Sequence, residues 1–311
     1  MIRTVWMTLL GLLGGRSSCG LCSVPILQGA GPLLPTELPW LTPEEQKDNI
    51  RLACQVKSTR DQNIQIPAKR FDVKHYRAQV VGLTDLTYDI KQVTLKLVEP
   101  AELTFRAGQF VQLEVPPYAL THTPLHRAYS IASAPAETCE IELEIRYVPD
   151  GIGTTYVHKH LKVGDIVTIR GPYGSFYLRP GAGEMIFIAG GSGMAPLKSI
   201  LHEMARTKNP RACRYFFGAR TPRDLFLVDR MRQFESDLPN FRFIPALSEP
   251  APEDGWTGET GLITEVVDRQ VRDASQAEAY LCGSPLMIDA CVEVLRAKGM
   301  PDANIFYDKY V

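Results

Sequence analysis

The sequence predicts a chain of the β plus α/β class. A small antiparallel Greek-key β-barrel comes first, then a parallel-sheet α/β nucleotide-binding domain, with a short N-terminal segment of different construction ahead of both. Three observations carry this. Between residues 74 and 178, short apolar runs recur between turn signals, and several alternate with a period of two. Beyond about residue 180, apolar runs alternate instead with helical stretches. The 311 residues, 45% hydrophobic and 22% charged, suit a soluble globular chain of two domains and a remnant.

The N-terminal segment covers residues 1–66. Its start, "MIRTVWMTLLGLLGG", is apolar from Thr4 to Leu13, about half of the ~20 residues a spanning helix needs. Arg3, a short apolar core and small residues imitate a signal peptide. The Pro-rich "GPLLPTELPWLTPEEQ" follows, and "TPEEQKD" reads as a solvated turn or helix start. "IPAKRFDV" reads as a linker into the barrel, residues 67–178. The barrel strands are "RAQVVGL", "KQVTLKLVEP", "QFVQLEVPP", "AYSIASAP", "IELEIRYVPDG" and "DIVTIRGPYG", with one helical stretch, "TTYVHKHL". In the α/β domain, residues 179–311, "MIFIA" precedes "PLKSILHEMAR", and "CRYFF" precedes "PRDLFLVDRMRQFE". "FRFIPAL" precedes "TGLITEVVDRQV", "EAYLC" precedes "PLMIDACVEVLRAK", and "NIFYD" closes the pattern.

Charge and cysteine usage narrow the function. A net charge of −1 offers no basic stripe for nucleic acid. The seven cysteines are scattered rather than arranged as a disulfide framework, which points to a reducing compartment and a cytoplasmic location.

"MIFIAGGSGMAPLKSIL" places Gly190, Gly191 and Gly193 after a buried strand, with Pro196 in the first turn of the next helix. Such glycines allow a tight turn and a close ligand approach. The helix N-terminus then offers free N–H groups to a phosphate. The spacing is not G-x-G-x-x-G, so the usual dinucleotide fingerprint is absent. Ligands of open α/β sheets bind beyond the C-terminal strand ends. Here those ends read "GAR" (218–220), "ALSE" (246–249) and "CGSP" (282–285), all small or polar. Cys282 is either a small buried apolar residue or a functional one.

Taken in order, "RAYS", "GPYGSF", "GGSGMAP" and "CGSPLM" resemble the ferredoxin–NADP reductase superfamily over about residues 74–311. The nearest branch in likeness is the NADH-dependent FAD/[2Fe-2S] reductases, which include reductase components of oxygenases. The ending "FYDKYV" resembles the flavin subunit of sodium-pumping NADH:quinone reductases. The resemblance implies FAD in the barrel. Arg127 and Ala128 would lie along its phosphates and Tyr129 would stack on the isoalloxazine. Ser130 would bond near N5, and Gly153 and Thr154 would meet the pyrophosphate at a helix start. In the α/β domain, Gly190, Gly191, Gly193, Ala195 and Pro196 would cradle the NADH pyrophosphate. Gly218, Arg220, Ser248 and Glu249 would line the rest of the groove. Cys282 and Gly283 would flank the nicotinamide, and Tyr310 would shield the flavin. The implied catalytic residues are thus Ser130, Cys282 and Tyr310. NADP-using relatives carry an arginine after the serine that matches Ser248. Glu249 stands there instead and favours NADH, although Arg220 could reach a 2′-phosphate. Strict alternation would place Tyr129 and Ser130 on opposite faces of one strand.

The N-terminal segment resembles the end of a [2Fe-2S] ferredoxin domain. Cys19, Cys22 and Cys54 match three of the four thiolates a plant-type cluster needs. The fourth would fall at Leu13 or Gly14, and neither ligates iron. The ligand set is therefore incomplete, the expectation is a truncated ferredoxin domain, and a cluster is not expected in this chain. The resemblance implies an electron-transfer reductase passing hydride from NADH to FAD, then single electrons to an iron–sulfur protein, a quinone or another acceptor. It also implies a peripheral place on the inner face of a membrane redox complex. Two alternatives are a reductase with a diffusible flavin or quinone acceptor, and a non-catalytic cofactor-binding subunit.

Overall fold

The computed structural model describes residues 23–41, 43–56, 61–65 and 73–310. Contacts divide it into two compact units. The first holds the described residues up to Lys74, together with Glu114–Arg127. The second holds His75–Leu113 and Ala128–Tyr310, so the barrel and the α/β sheet share a unit.

In the first unit, strands β1 (Ser23–Gln28), β2 (Ile50–Leu52) and β3 (Asn63–Ile64) form a small antiparallel sheet in the order β2-β1-β3. Helix α1 spans Pro43–Lys47, within the "TPEEQKD" run. Around this sheet the apolar side chains of Val24, Ile26, Leu41, Leu52 and Val56 are buried. So small a core is supplemented by a buried ion pair. The Arg51 guanidinium is bidentate on Glu37 and also donates to the carbonyls of Ala30, Gly31 and Pro32, tying that loop to β2. Leu34 and Leu52 donate N–H groups to the same carboxylate. Burial pushes the Glu37 carboxyl up. The bonds from Arg51, Leu34 and Leu52 outweigh it and hold the group below its usual range.

The second unit opens with the barrel strands β4 (Lys74–Asp85), β5 (Ile90–Glu99), β6 (Phe110–Val115), β7 (Leu125–Ser130), β8 (Glu140–Arg146) and β9 (Ile166–Tyr173). Their order is β7-β6-β9-β4-β5-β8, and β6 and β7 each straddle the division of the chain. The predicted strand through "AYSIASAP" stops at Ser130. Ile131 makes a single bridge to Leu143 of β8, and Ala132 N–H donates to Glu142 O at 2.8 Å. That bridge ties the segment after one edge strand to the other edge strand, which closes the sheet. The period-2 pattern of β8 sends Ile141, Leu143 and Ile145 inward to the barrel core. Helix α2 (Ile152–Lys159) is the single helical stretch expected here.

The α/β part holds β10 (Met185–Gly190), β11 (Cys213–Ala219), β12 (Phe241–Leu247), β13 (Glu259–Thr260), β14 (Glu278–Gly283) and β15 (Ile305–Lys309). These strands are parallel, in the order β13-β12-β11-β10-β14-β15. Between them run α3 (Met194–Thr207), α4 (Val228–Asp237), α5 (Ile263–Gln270) and α6 (Pro285–Ala297). Alternation assigns the strand residues to two cores. Phe187, Tyr215, Phe217 and Phe243 face one side; Ile186, Ile188, Phe216 and Leu281 face the other. Ile90, Ala107 and Phe176 of the barrel part belong to the first of these cores, so one apolar cluster joins barrel and sheet. Helix α4 starts at Val228, later than "PRDLFLVDRMRQFE" suggests. Thr221 and Asp224 close a separate 3-10 turn by a capping box, and Leu227 at φ +51° interrupts the helical path.

Candidate active site

The chain winds outward from β10 to β13 and then crosses back to β14, so the sheet order reverses between β10 and β14. A crevice opens at such a switch point, beyond the strand ends. Gly190 ends β10, and Gly191–Gly193 make a 3-10 turn into α3. Gly191 has φ +55°, which glycine adopts without strain. Gly193 is required for a different reason. A Cβ there would lie 2.2 Å from the carbonyl oxygen of Cys282. The start of α3 is pressed against the end of β14, so both strand ends stand side by side.

Two helix starts in this unit differ from the rest. α2 and α3 begin with no side-chain cap and no acidic residue in the first turn. In contrast, α4 has Asp229 in its first turn, α5 uses Glu265, and α6 is capped by Ser284. The starts of α2 and α3 thus carry no capping side chain and no carboxylate in their own first turns, which suits a phosphate at each. Gly153 and Thr154 lie in the first turn of α2, and the Thr154 hydroxyl bonds back to Val148 and Gly151. Ala195 and Pro196 lie in the first turn of α3, both buried.

Ser130, Cys282 and Tyr310 are brought together. The Tyr310 hydroxyl donates to Ser130 Oγ at 3.0 Å and lies within hydrogen-bonding reach of the Cys282 thiol. Its backbone N–H donates to Gly283 O at 2.9 Å, which fixes the chain end on β14. Because Ser130 Oγ accepts from Tyr310, its own proton is free for another acceptor. Burial pushes the Cys282 thiol well up, with the Asp308 carboxylate adding to it. Burial likewise raises the Tyr310 phenol. Both groups are neutral at ordinary pH. Asp308 pairs with Cys282 in the strand register, and burial pushes its carboxyl up to about 6. Sequence reasoning misses this residue. The alternation of β15 puts Asp308 and Tyr310 on one side, and that is the available signal.

The remaining expected residues divide by place. The Tyr129 ring packs, half-buried, against the barrel core, while Ser130 beside it is buried and meets Tyr310, so the two diverge as alternation requires. Arg127 belongs to the first unit and is exposed; Ala128 begins the return into the second. Gly218 pairs with Gly190 across the β10–β11 register. Arg220 and Glu249, opposing signals in the sequence, are partners in the structure. Their exposed side chains form a bidentate pair at 3.0 and 3.2 Å. Ser248 N–H donates to Ala219 O beside them. Arg146, on β8, carries no signal in the sequence. It pairs with Asp89 at 2.7 Å, and its Nη1 lies 3.4 Å from where a Cβ on Gly191 would sit, so a cation overhangs the glycine turn. Cys19 and Cys22 lie outside the described residues, and Cys54 sits half-buried just after β2. No group of three or more metal-ligating side chains occurs among the described residues.

Comparisons with known proteins agree with this fold. The oxidoreductase FAD-binding domain family matches residues 77–177, and the oxidoreductase NAD-binding domain family matches residues 187–293. The chain is 36% identical to the F subunit of the Na(+)-translocating NADH-quinone reductase of Klebsiella pneumoniae, covering 96% of this chain and 83% of that one. It is 35% identical to the corresponding protein of Neisseria meningitidis, with the same coverage. Among solved structures, the Amycolatopsis cytochrome P450 reductase GcoB has a TM-score of 0.78 at 30% identity, covering 95% of this chain and 88% of its own. The ferredoxin reductase of carbazole 1,9a-dioxygenase has a TM-score of 0.74 at 29% identity, covering 100% of this chain and 92% of its own.

Proposed function

The chain belongs to the family of NADH-quinone reductase F subunits, NADH-dependent FAD oxidoreductases of the ferredoxin reductase fold, and from that premise we propose how its residues serve the reaction. FAD, when bound, supplies the chemistry: it takes a hydride from NADH and releases the electrons one at a time. The protein supplies binding, distance and electrostatics. The uncapped start of α2, with Gly153 and Thr154, holds the FAD pyrophosphate. The exposed Arg127 guanidinium suits phosphate oxygens. Ser130 donates its proton toward N5, and Tyr129, which diverges from it toward the barrel core, meets the same flavin where the ring edge passes round the end of the strand. The turn Gly190–Pro196 and the start of α3 hold the NADH pyrophosphate, with Arg146 above the turn.

The reading is carried by one observation, the contact of Tyr310 with both Ser130 and Cys282. It brings the end of the flavin strand and the end of β14 to one spot. A nicotinamide ring brought to Cys282 and Gly283 takes the place of the phenol there. Cys282, neutral and buried, packs the ring without competing as a nucleophile. Glu249, paired with Arg220, sets a carboxylate where a 2′-phosphate would sit and so favours NADH as the donor.

The acceptor is an iron–sulfur centre or a quinone of a membrane redox complex, on which this chain sits peripherally. Among the described residues, no helix is long and apolar enough to cross a membrane. Anaerobic titration of the purified protein with NADH and then NADPH, followed by visible spectroscopy, tests the reading. A yellow protein that NADH bleaches with one equivalent, and NADPH much less readily, is expected. A colourless protein that takes up no FAD refutes it.

A further inference from the structure

We propose that Lys198 and Ser199 of α3 bolt the glycine turn to the flavin strand and so set the distance over which hydride passes. They are positioning residues that touch neither cofactor. The inference rests on the hydride path proposed above.

The glycine turn is the N-terminal end of α3, and Lys198 and Ser199 follow its first turn directly. Lys198 is 3% exposed, unusual for a lysine. Its Nζ lies 2.8 Å from Glu144 Oε1 and 3.0 Å from Glu142 Oε2. Both carboxylates belong to β8 of the barrel part. The alternation of β8 turns Glu142 and Glu144 away from the barrel core, yet Glu144 is only 4% exposed because it sits beneath α3. Burial pushes its carboxyl up, and Lys198 opposes that.

The geometry defines a position, not merely an attraction. Glu142 and Glu144 are two residues apart on one strand face, roughly 7 Å along the strand. A single ammonium forked between them resists a slip of α3 in either direction along β8. Ser199 fixes a second point: its Oγ donates to Ser133 O at 2.8 Å. Ser133 is three residues beyond Ser130, and its own Oγ accepts from Glu142 N–H at 3.2 Å. Gln92 Nε2 closes the far side of the network on Glu142 at 3.1 Å. The segment carrying Ser130, the strand carrying the carboxylates and the helix carrying the phosphate turn are thus tied at two adjacent residues. Buried ion pairs are weak devices for stability, since desolvation offsets much of the attraction. A charge triad between two cofactor-binding parts is better suited to fixing their register.

The test uses the FAD-loaded full chain as Lys198→Met, Lys198→Arg and Ser199→Ala, with flavin bleaching followed by anaerobic stopped flow. Misplacement of order 1 Å costs about a hundredfold in a positioned reaction. For Lys198→Met the bleaching rate constant at saturating NADH is expected to fall about ten- to a hundredfold, with the NADH Kd within about threefold of wild type. Lys198→Arg restores most of the rate. A second readout is independent of turnover. In hydrogen–deuterium exchange, peptides covering 129–134 and 190–197 should lose protection together in Lys198→Met. Unchanged rates, a loss lying wholly in Kd, or deprotection confined to α3 would each overturn the proposal. If Lys198→Met does not fold, Ser199→Ala decides: a rate loss of about threefold with the same paired deprotection supports the bolt, and wild-type rate and exchange sink it. If the wild type itself is not bleached by NADH, the hydride path fails instead, and the paired exchange alone judges the bolt.

Discussion

Replacing Gly193 by Ala is the sharpest single probe of the switch-point crevice. The added Cβ would meet the Cys282 carbonyl oxygen at 2.2 Å, its carbon at 2.7 Å and the Gly283 nitrogen at 3.1 Å. All three are backbone atoms of β14, held in register by β10 on one side and β15 on the other. The closest approach is about 1.2 Å short of the 3.4 Å at which ordinary contact begins. No side chain can swing aside, so the start of α3 must back away from β14 by about 1 Å. Overpacking of this kind costs about 1–3 kcal/mol. For a unit of this size that lowers Tm by about 2–12 °C. The larger effect is on chemistry, because the turn proposed to hold the phosphate and the end of β14 proposed to flank the nicotinamide separate. A misplacement of about 1 Å predicts a loss of about a hundredfold in kcat/KM for NADH. Gly191→Ala is the control. Its left-handed φ of +55° costs about 1–2 kcal/mol in local strain, but its nearest neighbour is the movable end of Arg146 at 3.4 Å. That variant should lose less than about tenfold in kcat/KM. Steady-state dye reduction and thermal melts of both variants decide the matter. Gly193→Ala with wild-type Tm and kcat/KM, or one milder than Gly191→Ala, would refute the reasoning.

Glu249→Gln releases Arg220 from its pair. It should raise kcat/KM for NADPH about tenfold, and the double variant with Arg220→Ala should lose that gain; equal NADPH kinetics in all three proteins would rule it out. Asp308→Asn tests the buried carboxyl of β15. Its pKa is raised from the usual 3.8 to about 6 in the fold, so the folded state favours the protonated form and stability is lost as pH rises across that window. The Tm of Asp308→Asn relative to wild type should therefore rise between about pH 3.8 and about pH 6 and level off above that, and a constant difference across this window would contradict it. Arg51→Met leaves the Glu37 carboxylate buried without its cation, and the first unit should lose about 3–5 kcal/mol in urea unfolding. Glu37 is held below the usual 4.5, so in wild type this contribution is present at neutral pH and fades as the solution is acidified through the lowered pKa. Limited proteolysis that cleaves Arg51→Met no faster than wild type within residues 23–56 would show the pair to be dispensable.

Most of the architecture can be read from periodicity, because each strand buries one face or both. "IELEIRY" alternates since only its inward face meets the barrel core, while "MIFIA" is apolar throughout since helices cover both faces. What periodicity cannot reveal are facts of pairing between distant elements. Arg220 and Glu249 are 29 residues apart, and as isolated letters they argue for opposite cofactors; only the adjacency of the β11 and β12 ends makes them one neutral unit. Glu144 looks like an exposed residue of an alternating strand, and Lys198 like a solvated helix position. Each is buried because the other is there. Asp308 is hidden for the same reason: its environment is made by Cys282 on a neighbouring strand and Tyr310 at the chain end. The glycines sort the same way. Gly191 is explained by its own φ, a local property, whereas Gly193 is explained by a carbonyl almost ninety residues away. Local letters carry the path of the backbone. The chemistry of this site depends on which strand ends the sheet order brings together, and the reversal between β10 and β14 makes that choice.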